Sequence, residues 1–258
     1  MSKPTRSILE RFRLDGRKAL VTGAGRGIGK AFAAALAEAG ADVAIVDCLP
    51  EPAAATAAEI ATATGRRTLA VTADISRAGD PDRLVAEVVA AFGRLDIAVN
   101  NAGISIPIKP LTEVTDAEWE RQLGVNLTGT WACIRAEARA MQPNGYGKII
   151  NTGSICGHIV WPDPQLPYSV SKAGILHLTR AAAAELIRCG IRVNSISPGV
   201  TRVADLFPEV VDVFFRTAPI DRTGTPADHQ GALVFLASGA SDFMVGQDLV
   251  LDGGYSIM

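Results

Sequence analysis

The sequence predicts an α/β protein, a single domain built on a seven-stranded parallel sheet with helices on both faces. Three observations lead there. Short β-rich runs recur along the chain: KALVT, DVAIVD, TLAVTAD, LDIAVNNAG, KIINTGS, IRVNSISPG and DLVLDGG. Several are apolar at consecutive positions, as strands buried on both faces are. Between most of them lie segments of helical character, at about 27–39, 51–64, 80–92, 115–142, 168–189 and 226–238. That alternation implies right-handed crossovers and a parallel sheet. No Pro/Gly-rich linker and no internal repeat divides the chain, so residues 1–258 read as one domain.

The totals agree and narrow the function. At 258 residues and 48% hydrophobic, the chain can bury one large core. A net charge of −2 gives no electrostatic argument for nucleic acid or an anionic membrane. The opening MSKPTRSILERFRLDG, read as an N-terminal extension over 1–16, is charged and has no apolar core segment, so a cytoplasmic protein is expected. No apolar run reaches the ~18 residues needed to span a bilayer. Cys48, Cys133, Cys156 and Cys189 are far apart and read as reduced thiols. His158, His177 and His229 are equally scattered, and no metal site is expected.

Taken in order, the first strand runs into Thr22-Gly23-Ala24-Gly25-Arg26-Gly27-Ile28-Gly29, and a helix follows. Glycines permit the tight turn and let backbone approach a pyrophosphate, while the helix N-terminus offers unpaired N–H groups. A glycine motif alone is weak; its place at the first strand-to-helix turn is what supports it. The second strand ends at Asp47, whose carboxylate can accept both ribose hydroxyls of an adenosine and would repel a 2′-phosphate. Cys48 and Leu49 follow, so no base stands there to neutralise that phosphate, although Arg26 pulls the other way. NAD is therefore favoured over NADP. Asp74-Ile75 closes the third strand and Asn100-Asn101-Ala102-Gly103 the fourth, both facing the crevice beyond the carboxyl ends of the strands.

The fifth strand ends at Ser154 by the same logic. Tyr168 and Lys172 then fall four apart at the head of a helix, on one face. A free phenol, with pKa near 10, is a poor base at neutral pH, and a nearby cation favours the phenolate. Such a pair can take and return a proton, with Ser154 holding the substrate oxygen.

With these residues in hand, the sequence resembles the short-chain dehydrogenase/reductase family over nearly its whole length. The resemblance rests on TGAGRGIG at 22–29, Asp74, NNAG at 100–103, the Asn126 of VNLTGT, Ser154, YSVSK at 168–172, Pro198-Gly199 and DGGY at 252–255. It implies a Rossmann-type fold and a catalytic tetrad of Asn126, Ser154, Tyr168 and Lys172. By that analogy Tyr168 is the acid/base, Ser154 orients the carbonyl or alcohol, and Lys172 binds the nicotinamide ribose and lowers the phenol's pKa. Asn126 would hold a water that relays protons from Lys172. Asp74 and Ile75 would contact the adenine, and Ala102 and Gly103 the ribose region. A homotetramer is implied as well.

Two departures stand out. The family's usual threonine, four residues after the Gly of the PG motif, is Val203 here, and Thr201 sits two earlier, so either could face the nicotinamide carboxamide. Ser154 and Tyr168 are one residue further apart than is commonest, and the proline-rich ICGHIVWPDPQLP between them resembles the loop of the family's sugar and polyol dehydrogenases. Residues 200–225 read as a substrate lid. The candidate substrate contacts are Ser154, His158, Trp161, Gln165 and Phe207. The expected reaction interconverts a secondary alcohol, of polyol or sugar type, and its ketone with NAD(H). A 3-oxoacyl-(acyl carrier protein) reductase using NADPH is the rival within that chemistry. A non-catalytic dinucleotide-binding protein is the rival outside it.

Overall fold

The computed structural model describes residues 7–162, 165–204 and 208–258. Seven strands among them form one sheet: β1 (Lys18–Thr22), β2 (Asp42–Asp47), β3 (Thr68–Thr72), β4 (Ile97–Asn100), β5 (Gly147–Thr152), β6 (Ile191–Pro198) and β7 (Asp248–Leu251). The order is β3-β2-β1-β4-β5-β6-β7 and every neighbouring pair is parallel. The chain leaves β1 in one direction and returns to it from the other through β4. Beyond the carboxyl ends of these two strands a crevice opens, where open α/β sheets hold ligands.

Alternating side chains send each strand into two cores. Leu20, Ala44 and Val46 pack beneath Leu84, Val88, Cys133 and Met141. These come from α4 (Asp80–Phe92) and α6 (Thr130–Met141), and α7 (Leu166–Leu186) completes that layer with Ala183 and Leu186. Ala19, Val21, Val43 and Ile45 pack on the opposite face against α2 (Gly27–Glu38), α3 (Pro50–Thr64) and α9 (Gln230–Ala237), through Phe32, Leu36, Ile60, Leu233 and Leu236. The inner strands β4 and β5 are buried at every position, whereas the edge strands β3 and β7 are partly open. That is why β4 reads as an apolar run, whereas β5 also buries Lys148, Asn151 and Thr152.

The expected helix at 115–142 is broken. An α-helix over Asp116–Leu123, α5, passes through a π-helical turn at Gly124–Gly129 into α6. Gly129 is held against Ile75, and a Cβ there would lie 2.9 Å from Ile75 Cγ1. The 226–238 segment opens as a 3₁₀ turn, Pro226–His229, before α9. Between β6 and that turn, α8 (Pro208–Thr217) lies within the 200–225 segment expected as a lid, and a bridge joins Thr201 to Gly224. Leu206 and Phe207 lie outside the described residues. Among those described, no helix is long and apolar enough to cross a membrane, and no group of three or more His, Cys, Asp or Glu could hold a metal ion.

One buried carboxyl has a measurable consequence. Glu137 on α6 is fully buried and accepts from Asn100 Nδ2 at 3.0 Å, while that amide also donates to Asn151 Oδ1 at 3.1 Å. Glu137 Oε1 and Asn100 Oδ1 are both buried without partners. Burial raises the Glu137 pKa from 4.5 to about 8, so the group is protonated at neutral pH. Because the folded pKa lies above the unfolded one, the contribution is fully present below about pH 4.5 and is lost as pH rises towards 8. Glu137→Gln keeps a neutral donor–acceptor pair and removes the titration. Urea unfolding between pH 5 and pH 8 should show wild type losing stability relative to this variant, with a slope on the order of 1 kcal/mol per pH unit. A constant difference across that range would show that Glu137 ionises normally.

Candidate active site

The crevice holds a cavity of 370 Å³ that gathers most of the predicted site. Arg26, Gly27, Ile28 and Gly29 line one end of it. The turn they form is shaped by close backbone approach. A Cβ on Gly23 would stand 2.8 Å from Ala102 Cα, and one on Gly29 would stand 2.1 Å from the Gly23 carbonyl oxygen. Gly27, at φ +57°, takes the left-handed conformation that favours glycine. Asn101 braces the turn, its Nδ2 donating to the Thr22 and Gly23 carbonyls at 3.1 and 3.2 Å. Ala102 N–H donates to the Thr22 hydroxyl at 3.1 Å. The N-cap residue of α2, Arg26, makes no side-chain cap, and no acidic residue stands in the first turn. The uncapped N–H groups and the bare glycine surface fit a pyrophosphate.

Asp47 ends β2 beside this turn. Its Oδ2 accepts from Gly25 N at 2.9 Å and its Oδ1 from Leu49 N at 3.1 Å. Asp74 Oδ1 accepts from the Ser76 amide and hydroxyl, at 3.0 and 2.7 Å, so that carboxylate is tied to its own turn. Asp74 and Ile75 stand beside the cavity and not on its lining. Burial raises the Cys48 thiol's pKa, and the charges of Asp47 and Asp74 push it further in the same direction. Asp74 is also paired with Arg77, whose Nε lies 3.4 Å from Asp74 Oδ2.

At the other end stand Ser154, Tyr168 and Lys172. Ser154 caps a short 3₁₀ turn, its hydroxyl accepting from Cys156 N at 3.2 Å. Tyr168 is the third residue of α7 and Lys172 lies one turn on. Lys172 Nζ donates to the Thr152 carbonyl at 2.8 Å and lies 5.6 Å from the centre of the Tyr168 ring. Burial pushes the phenol's pKa up, the charge of a Cys156 thiolate would add to that, and the Ser154 hydroxyl pulls it partly back. Burial also lowers Lys172 to about 8. The lowered phenol pKa expected from Lys172 is therefore not produced by these side chains alone. Desolvation of both groups outweighs their mutual attraction because the ammonium is directed at a backbone carbonyl.

Asn126 sits in the π-helical turn, a distortion common at functional sites. Its Oδ1 accepts from Ile104 N at 2.8 Å, and its Nδ2 donates to the Ile104 carbonyl at 3.0 Å and to Ser171 Oγ at 3.1 Å. Both amide hydrogens are used in joining the loop after β4 to α7. Gly103 packs against the same side chain and lines the cavity.

The wall beyond β6 is formed by Pro198, Gly199, Thr201 and Val203. Val203 is apolar and lies over Gly27, 3.5 Å from where a Cβ would stand. The Thr201 hydroxyl donates to the Gly199 carbonyl at 3.0 Å and pairs with His229 Nε2 at 2.8 Å. Its proton is spent, and one lone pair is left to accept from an amide. Trp161 and Gln165 line the cavity, with Gln165 Oε1 accepting from the Ser105 hydroxyl at 3.0 Å. His158, expected as a substrate contact, is off the lining. Its Nε2 pairs with Asp248 Oδ2 at 2.7 Å, a carboxylate at the start of the edge strand β7 that also accepts from the Ser195 hydroxyl on β6, so the imidazole is held at the sheet edge and not at the cavity.

Sequence reasoning missed two neighbours, Cys156 and Tyr255. Cys156 lines the cavity two residues after Ser154. Tyr255 and Phe214 back the site, with Tyr255 stacked on Trp161 at 4.7 Å and Phe214 stacked on Tyr255 at 5.6 Å. Nothing local signals this cluster, since β6–β7 pairing and the lid bring three distant segments together. A larger cavity of 820 Å³, lined by Arg17, Arg94 and Asp96 among others, opens at the amino ends of β1 and β4, away from the crevice.

Residues 23–256 match the family described as enoyl-(acyl carrier protein) reductase. Galactitol 2-dehydrogenase of Rhizobium johnstonii is 38% identical over 259 residues, covering 97% of this chain and 99% of the relative. The chain belongs to the short-chain dehydrogenase/reductase family. As an oxidoreductase of this family it is also similar to a probable NADP-dependent mannitol dehydrogenase of Yarrowia lipolytica, 35% identical over 98% of this chain and 92% of that one. Among solved structures, a short-chain type dehydrogenase/reductase from Mycobacterium marinum superposes with a TM-score of 0.92 at 38% identity, covering 96% of this chain and 99% of that one. Members of this family bind a nicotinamide dinucleotide, and relatives of this short-chain dehydrogenase/reductase include NADP-dependent ones.

Proposed function

We propose that the protein interconverts a secondary alcohol of polyol or sugar type and its ketone with NAD(H), using Tyr168 as acid and base. The observation that carries this reading is the convergence of Ser154, Tyr168 and Lys172 on the cavity whose far end is the uncapped glycine turn. The alcohol oxygen docks between Ser154 and Tyr168, and Tyr168 takes the hydroxyl proton. The dinucleotide supplies the hydride acceptor, and its oxidised ring's positive charge favours the phenolate. Lys172 holds the nicotinamide ribose, and Asn126 fixes the loop after β4 and serves the proton relay. Asp74 and Ile75 would flank the adenine, and α8 would close over the substrate. Relatives named for galactitol and mannitol support the polyol choice.

The preference for NAD rests on Asp47, held by two backbone N–H groups where a 2′-phosphate would have to sit. Asp47→Ala should shift the ratio of kcat/KM for NAD+ over NADP+ by at least about tenfold towards NADP+, or about 1.4 kcal/mol. An unchanged ratio would place the discrimination elsewhere. We also assign a cytoplasmic homotetramer, supported by the exposed Trp131 and Val170 on α6 and α7, at 47% and 40%. The deciding experiment follows nicotinamide absorbance with polyols, cyclic alcohols and simple secondary alcohols. NADH appearing with a polyol supports the whole reading. Silence with every alcohol, together with NADPH oxidation by a 3-oxoacyl thioester, would replace it with the acyl reductase reading.

A further inference from the structure

Trp161 is 3% exposed, and its ring is clamped by the stack on Tyr255 at 4.7 Å and, behind that, by Phe214. Its indole Nε1 is buried and has no hydrogen-bond partner among the described residues. Buried indole N–H groups usually find one, and leaving a donor unpaired destabilises the fold. The stacked ring cannot turn away to find a partner without breaking the aromatic cluster. Three other polar groups of this loop are engaged: His158 with Asp248, Ser154 Oγ with Cys156 N, and Gln165 Oε1 with Ser105. Yet Trp161 lines the same cavity as Ser154 and Tyr168. An unpaired donor on a rigid side chain that lines a substrate cavity is a candidate recognition group for an acceptor.

We propose that the Trp161 indole N–H is a specificity-determining donor for a second substrate oxygen, so that the enzyme takes diols in preference to mono-alcohols. This rests on the reading given under Proposed function, in which Ser154 and Tyr168 hold the reacting oxygen. The indole can only donate, so it needs an oxygen other than that one. That oxygen is assigned to the carbon next to the reacting one, as in a vicinal diol or its α-hydroxy ketone. A site built to bond a hydroxyl discriminates strongly against the analogue that lacks it, because its own donor is then left bare.

The test pairs cyclohexane-1,2-diol with cyclohexanol in wild type and in Trp161→Phe, which keeps a stacking ring and removes the N–H. Wild type should favour the diol in kcat/KM by at least about tenfold. Trp161→Phe should lose at least about tenfold more on the diol than on cyclohexanol. Equal losses on both compounds, or no loss, would overturn the proposal. NADH binding by fluorescence checks that the variant is folded. Should it not fold, the wild-type ratio still decides, and no preference for the diol overturns the proposal. If wild type oxidises neither compound but binds NADH, the proposed alcohol chemistry itself fails and the inference falls with it.

Discussion

Replacing Tyr168 by phenylalanine lowers kcat by at least about 100-fold, the loss expected when a general acid/base is removed. The ring stays, so α7 keeps its head and the cavity keeps its wall. Only the hydroxyl that faces Ser154 is lost. NADH binding should change little, because the glycine turn and Lys172 remain. Stopped-flow oxidation of an accepted alcohol, with dinucleotide affinity measured in parallel, separates the two effects. Turnover within a few-fold of wild type would remove Tyr168 from the chemistry and leave the buried Lys172, at about 8, as the group to examine as base.

Gly29→Ala should weaken dinucleotide binding by at least about tenfold, through strain on the order of 1–3 kcal/mol. The new methyl would lie 2.1 Å from the Gly23 carbonyl and 2.5 Å from Asn101 Nδ2. Neither neighbour can yield alone, because Asn101 also bonds the Thr22 and Gly23 carbonyls. The turn must open, and the N–H groups of α2 lose their alignment. Gly231→Ala is the control: it lies in α9 with nothing within 4 Å of the added Cβ, and a helical Gly→Ala change is neutral or stabilising. NADH titration by fluorescence and thermal unfolding of both variants give the comparison. Equal affinity in Gly29→Ala and wild type would mean that the turn is not the pyrophosphate cradle.

The class of fold was legible because its causes are local. Strands buried on both faces must be apolar at successive positions, so β1, β2, β4 and β5 announce themselves in LVT, VAIV, IAV and KIIN. A glycine turn between strand and helix needs Gly27 for a left-handed backbone and Gly29 for contact with Gly23, and those demands fall on neighbouring residues. Tyr168 and Lys172 share one helix face by spacing alone. Asn126 was visible only through the family resemblance. Its physical place, a π-helical turn bonded to Ile104 and Ser171, could not be read from VNLTGT.

By itself the sequence determined the alternation of strands and helices, the glycine turn, the carboxylate at the end of β2 and the serine, tyrosine and lysine of the site. Each follows from the properties of a residue and its near neighbours. Tertiary structure alone decided the strand order, which side of the crevice each loop faces and what lies behind the catalytic residues. It turned His158 away to Asp248, spent the Thr201 hydroxyl on Gly199 and His229, and stacked Trp161 on Tyr255 with its N–H unpaired. These outcomes depend on contacts between segments up to about a hundred residues apart in the chain. The energies that select them, burial against hydrogen bonding, are set only once the sheet has brought those segments together.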